Sequence, residues 1–282
     1  MLTRLLHISS RQVAISAICA GMALVLPIIT GTASAQDMTG RQIMEAVSAR
    51  HERPNEFSVE EMRLLDADGQ EEEVRTLRRF AKEFEGSLSK YLLTFDSPAG
   101  VKGVAMLTWE TAEGEDDQWT FLPATKKLKR IVGGGKRSYF MGTDFANEDL
   151  VAEKLDRHRY DRQADQVIDE VDHYVVWAFP ETKAAKKSTG YSYREIFIRK
   201  DNLFQDKINF FERRTKKHVK TLTVLEASQI DGEGWRADKS LMNNLKEKHQ
   251  TLSIIQSRDF KDEAISSAVF KHRYIKKKKH MK

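Results

Sequence analysis

The sequence predicts a mainly β chain of α+β class, built on an antiparallel sheet of about ten or eleven strands in a sandwich or barrel arrangement. Three observations carry this. Strand-like segments recur at roughly the 8–12-residue spacing of such folds. Most connections are of hairpin length, which only antiparallel neighbours allow. Several segments are apolar on both faces: Val104 and Met106 alternate with Ala105 and Leu107, and Val175, Trp177 and Phe179 alternate with Tyr174, Val176 and Ala178. A sheet with one wet face would alternate with polar residues instead. The sheet is therefore expected to curve, its apolar faces covered by a second layer or enclosing a ligand.

The first segment reads as an address. Met1 to Gln12 carries Arg4 and Arg11 and no acid, Val13 to Ile29 is almost wholly apolar, and Ala33-Ser34-Ala35 has the form of a signal-peptidase site. This predicts a cleaved signal peptide over residues 1–35 and Gln36 as the new first residue. No Arg pair precedes the apolar run, which favours the general secretion route. An uncleaved anchor is the competing reading, since the run is close to the shortest that spans a bilayer. Ile18 precedes Cys19 where lipid attachment needs a small residue, so the sole cysteine leaves with the leader. No later stretch is long and apolar enough to span a membrane.

Thr39 to Arg50 places Ile43, Met44 and Val47 at helical spacing, with Thr39 as N-cap and Pro54 closing the segment. Strands follow at Phe57 to Leu65 and Gln70 to Phe84, around the turn Asp66-Ala67-Asp68-Gly69. Leu88 to Phe95 and Val101 to Trp109 flank Ser97-Pro98-Ala99-Gly100. Trp119 to Leu122 and Lys126 to Val132 come next. Phe145 to Leu155 is a second helix, with Asp144 as cap and Glu148 and Asp149 in its first turn. Strand pattern resumes at Tyr174 to Phe179, Tyr191 to Ile198, Leu203 to Phe211, Val219 to Ile230, Leu252 to Ile255 and Val269 to Ile275. A short helix fits Asp262 to Ala268.

The net charge of +5 is an end effect. The leader has no acid, and the last twelve residues hold seven basic residues and none acidic. The body between them is slightly acidic, which removes the main support for nucleic-acid binding. Residues 276–282 read as a basic disordered tail. Catalytic and metal patterns are missing from the sequence. Gly133-Gly134-Gly135-Lys136 lacks the first Gly and the Ser/Thr of a phosphate loop. No His pair has zinc spacing, no nucleophile elbow occurs, and the acidic runs Glu71–Glu73 and Glu115–Asp117 lack the alternation of a calcium loop. No enzyme, metal or cofactor is expected.

The middle of the chain is more specific. It reads Phe95-Asp96-Ser97-Pro98-Ala99-Gly100-Val101-Lys102-Gly103, then Asp117-Gln118-Trp119-Thr120-Phe121-Leu122-Pro123, Lys129-Arg130-Ile131, and Ser138-Tyr139-Phe140-Met141-Gly142-Thr143-Asp144-Phe145 with Glu148-Asp149-Leu150. Lys220-Thr221-Leu222, Ile230-Asp231-Gly232, Trp235 and Thr251-Leu252 continue the pattern. These blocks resemble the bacterial outer-membrane lipoprotein-sorting protein family, the LolA-like periplasmic proteins, in particular an uncharacterised branch often found beside RND-type lipid exporters. Thr143 stands where that branch often has Ser, and the acyl-binding Arg of the founding carrier has no counterpart by motif.

The resemblance implies a single LolA-like domain over residues 36–275: an incomplete, strongly curved antiparallel β-barrel with short helices covering the concave face. It implies a non-catalytic, monomeric carrier of lipid or lipoprotein in the periplasm of a Gram-negative bacterium, exchanging acylated cargo with an RND-family inner-membrane transporter. The alternative is a periplasmic sensor or adaptor that binds a transporter or an envelope-stress regulator. The expected cavity lining is Leu93, Phe95, Met106, Trp109, Trp119, Phe121, Trp177, Phe179, Ile196 and Ile198, although strand parity alone leaves the concave face open. Phe140, Met141, Gly142, Asp144, Phe145 and Asp149 form the expected lid or docking segment.

Overall fold

The computed structural model describes residues 38–282; the expected leader and its cleavage site lie outside them. A helix comes first, α1 (Gly40–His51). Thr39 caps it in a reciprocal box with Gln42, so two otherwise unpaired backbone donors are satisfied. Six strands then run as a meander: β1 (Asn55–Leu65), β2 (Glu71–Phe84), β3 (Leu88–Ser97), β4 (Ala105–Trp109), β5 (Asp117–Leu122) and β6 (Lys127–Ile131). After a long crossing segment come β7 (His158–Arg162), β8 (Gln166–Ile168), β9 (Val171–Pro180), a short helix α2 (Lys183–Ser188), β10 (Tyr191–Arg199), β11 (Gln205–Glu212), β12 (His218–Gln229), β13 (Trp235–Asn244) and β14 (His249–Asp259). A last helix is α3 (His272–Lys276).

All fourteen strands belong to one antiparallel sheet in the order β6-β5-β4-β3-β2-β1-β14-β13-β12-β11-β10-β9-β7, with β8 on β9. The two meanders meet where β1 pairs with β14. The edge strands β6 and β7 do not pair, so the sheet is an incomplete curved barrel. Lys127, Lys129 and Arg130 keep the β6 edge charged, which discourages further strand addition. The fold class is as expected, and the strand number is higher. The additional strands are β7, β8 and β13.

Residues paired across antiparallel strands point to the same side, so the register sorts the sheet into two faces. The concave face carries Leu93, Phe95 and Met106 on β3 and β4, and Val176, Ile196 and Ile198 on β9 and β10. Helix α1 covers the second group through Ile43, Met44 and Val47. Gly40 lets α1 approach β7 closely, since a Cβ there would meet the Tyr160 carbonyl at 2.7 Å. The convex face of β3–β5 carries Leu92, Leu107, Phe121 and Ala105, covered by Ile265, Val269, Phe270 and Ile275 from the C-terminal segment. On this side the two-faced apolarity is explained by a second layer.

Three expectations need correction. Val269 to Ile275 is not a strand: it forms a 3-10 turn at Ser267–Phe270 and then α3, because its apolar side chains are used to cover the sheet. Phe145 to Leu155 is not an α-helix: it contains 3-10 turns at Asn147–Leu150 and Leu155–Arg157. Asp144, the expected cap, instead engages Thr251 and His249 on β14. The end of the chain is ordered. Its 3-10 turn Lys279–Met281 buries His280, which bonds the Gly103 carbonyl at 3.0 Å, while Arg78 donates to the His280 carbonyl at 2.7 Å.

Candidate functional site on the concave face

The segment between β6 and β7 straps the concave face. Its turn is set by Met141 and Gly142, both at positive φ, with the Thr143 N–H closing back on the Phe140 carbonyl at 3.0 Å. This chain reversal drives Phe140 and Phe145 into one buried cluster with Leu93, Phe95 and Met106. The Phe140 ring stacks on Phe95 at 5.6 Å between centroids. The Arg75 guanidinium donates to the Met141 carbonyl at 2.6 Å and lies over the Phe95 ring.

Polar side chains pin the strap to the sheet floor. Lys220, 1% exposed, donates to the Asp144 carbonyl at 3.0 Å and to Asp149 Oδ2 at 2.6 Å. The Tyr191 hydroxyl donates to the same carboxylate, which also accepts the Ala146 N–H. Thr251 and His249 hold Asp144 Oδ2 at 2.7 Å each. Burial, with the Asp149 charge beside it, pushes the Tyr191 hydroxyl well above its ordinary value. Burial, reinforced by Asp149, also pushes the Glu148 carboxyl up to about 7; its Oε1 accepts the Gly190 N–H at 2.7 Å. Burial opposes ionisation of Glu153, yet the Arg194 and His158 charges outweigh it and hold that carboxyl low.

The centre of the concave face is polar. Glu60, 2% exposed, pairs with Arg79 and accepts from Ser253 Oγ at 2.6 Å. Arg258 bridges Glu56 and Asp238, at 3.0 Å each. Two cavities open beside this floor. One of about 190 Å³ is lined by Leu93, Met106 and Leu150, with Ser58 and Arg79 at its polar side. The other, about 340 Å³, is lined by Phe145, Leu222 and Ile255 together with Glu60, Asp238, Ser240 and Ser253. Arg79 and Leu150 line both. The larger lies at the lower end of the range of small-molecule pockets.

The register divides the ten expected lining residues between the two faces. Leu93, Phe95, Met106, Ile196 and Ile198 are concave, the first three under the strap and the last two under α1. Trp109, Trp119 and Phe121 are convex and pack with the C-terminal segment. Trp177 and Phe179 are also convex, half-buried, and gather with Tyr193 and Phe211. These five cannot line the concave cavities, because each stands one residue out of phase with the inward set. The expected lid residues Phe140, Met141, Gly142, Asp144, Phe145 and Asp149 all lie in the strap. Glu60, Arg79, Asp238 and Ser253 were not foreseen. Their signal was phase: Ser58 and Glu60 alternate in step with Met62 and Leu64, so a carboxylate sits on an inward-facing row.

The fold is an open half-barrel whose concave face is strapped and part-polar. The sequence matches a family described as uncharacterized protein over residues 87–277. A domain described as an outer membrane lipoprotein-sorting protein, from Vibrio parahaemolyticus, is 30% identical, with 84% of this chain and 98% of that chain covered and a TM-score of 0.77. A DUF1329 family protein from Desulfovibrio piger is 26% identical, with 84% and 97% covered and a TM-score of 0.77. A LolA superfamily protein from Nitrosomonas europaea shares the fold at 19% identity, 84% and 99% coverage and a TM-score of 0.65. No curated protein matches the chain. This chain belongs to the same family as that outer membrane lipoprotein-sorting protein domain.

Proposed function

We propose that this protein is a non-catalytic periplasmic carrier that holds an acyl-bearing amphiphile on its concave face and exchanges it with a membrane transporter of RND type. The observation that carries the reading is the pair of concave cavities that both have Arg79 and Leu150 in their walls, one walled by Leu93 and Met106, the other floored by charged and hydroxyl side chains. Such a site suits a molecule with both an apolar chain and a polar head. Each methylene buried contributes about 0.8 kcal/mol, so a long chain leaves a bilayer only for a comparably dry place. The strap's Phe140 and Phe145 pack against Leu93, Phe95 and Met106, so their displacement would enlarge the apolar cavity. Family membership and the fold shared with a lipoprotein-sorting domain support the same reading.

The test is mass spectrometry of lipids extracted from the folded protein purified from a bacterial periplasm. The expected result is a stoichiometric acyl species that Leu150→Asp, in the wall of both cavities, loses while still folding. Trp177→Asp, on the convex face, is expected to keep it. A folded protein that holds no acyl species and takes none from vesicles would sink the carrier reading and leave the adaptor, which needs no cargo.

A further inference from the structure

At one end of the half-barrel three consecutive connections lie side by side: α2 with its flanks between β9 and β10, the turn 213–217 between β11 and β12, and the turn 245–248 between β13 and β14. Backbone contacts tie them together. The Arg213 N–H donates to the Gly190 carbonyl at 2.8 Å, and the Leu245 N–H donates to the Val219 carbonyl at 2.9 Å. This end is crowded with exposed cations. Among the described residues Lys186, Lys187, Arg214, Lys216, Lys217 and Lys248 form no ion pair. Only Lys246 is paired there, with Glu212. The next connection along the same end, between β1 and β2, is acidic through Asp66, Asp68 and Glu71, so the cationic sector has a sharp boundary.

Apolar groups project from the same sector. Leu245 is 47% exposed and Tyr139 37% exposed. Between the turns is a cleft of about 240 Å³ lined by Tyr139, Arg137, Arg213, Arg214 and Val219, with Glu148 and Glu247 also at its wall. On the adjoining convex surface Tyr193 stacks on Phe211 at 4.2 Å, beside Phe179 and Trp177. Unpaired cations among exposed aromatic and aliphatic tips match the interfacial layer of an anionic bilayer, where aromatic rings sit at headgroup level and lysines reach the phosphates. A nucleic-acid or soluble polyanion site would need the cations but not the exposed Leu245 and Tyr139.

We infer that this cationic, aromatic-tipped end of the half-barrel docks reversibly on anionic phospholipid surfaces. The inference is independent of any cargo in the concave cavities. The experiment is flotation of the protein with vesicles of phosphatidylglycerol and phosphatidylcholine in equal parts, and with vesicles of phosphatidylcholine alone. Binding is expected only to the first, falling with added salt. Arg214→Gln with Lys217→Gln should weaken it about 25-fold, at about fivefold per neutralised charge. Leu245→Ser should weaken it further without changing its salt dependence. Lys276→Gln with Lys277→Gln, in the other basic run, should leave it unchanged. Absence of binding, equal binding to both vesicles, or equal losses from the two double variants would each overturn the inference. So would binding to polyphosphate in place of vesicles. The variants sit on exposed turns, and circular dichroism confirms that they fold. Bound acyl species measured on the same samples separate this result from the carrier reading.

Discussion

Replacing Lys220 by Met removes the cation that ties the strap to the sheet while keeping an unbranched side chain of similar length. Lys220 has two polar contacts, to the Asp144 carbonyl and to Asp149 Oδ2, and its ammonium lies 5.1–5.2 Å from the Phe210 and Tyr191 rings. In the variant Asp149 stays buried, keeping only the Tyr191 hydroxyl and the Ala146 N–H. Breaking a buried ion pair on one side costs about 3–5 kcal/mol, because the remaining charge is uncompensated. In a domain of this size each kcal/mol lowers Tm by about 2–4 °C, so Lys220→Met should lower it by roughly 6–20 °C. Lys220→Met combined with Asp149→Asn removes both charges and should recover at least half of that loss. Calorimetry gives the Tm values, and hydrogen exchange should show the extra opening concentrated in residues 139–150. A loss below about 1 kcal/mol, or a double variant no more stable than the single one, would refute the assignment of Lys220 as the strap's anchor.

Other outcomes follow from the same structure. The raised Glu148 carboxyl binds more protons folded than unfolded, so its contribution is fully present below about pH 4.3 and lost as pH rises through about 7. Glu148→Gln should flatten the fall in stability across that window, measured by urea unfolding at a series of pH values; an unchanged slope would contradict it. Phe270→Ala should cost about 3–5 kcal/mol by opening the convex layer. The Trp109 indole donates to the Phe270 carbonyl at 2.9 Å, so the fluorescence spectrum should shift as well. Thr39→Ala removes the helix cap and should cost about 1 kcal/mol, read as a small drop in Tm.

Local rules made much of the fold readable. Thr39 announced the start of α1, and Asp66 to Gly69 the first hairpin. What was not readable depended on partners distant in sequence. Strand β13 was missed because Asp238, Ser240 and Asn244 face the polar concave centre, where they meet Arg258, Ser253 and Lys220, so the strand has no apolar period. Val269 to Ile275 has strand-like composition, but its role as a cover over Leu107 and Phe121 decides its conformation. The lining list was split because two-faced apolar strands look alike in either phase. Trp109 and Met106 both sit on β4, and only the cross-strand register separates them.

The pairing of β1 with β14 sets the order in which the molecule can assemble. Each meander zips from neighbour to neighbour, but the seam between them joins distant residues: Ser253 Oγ meets Glu60 Oε1 across 193 positions. Closing a loop of that length costs roughly 5 kcal/mol of chain entropy before any contact across the seam returns it. The convex layer over β3–β5 also waits for the segment that follows β14. A chain emerging in order therefore has no stable half-product to settle into, since its first meander lacks both a partner for β1 and a cover for Phe121. Its native state forms late and as a whole.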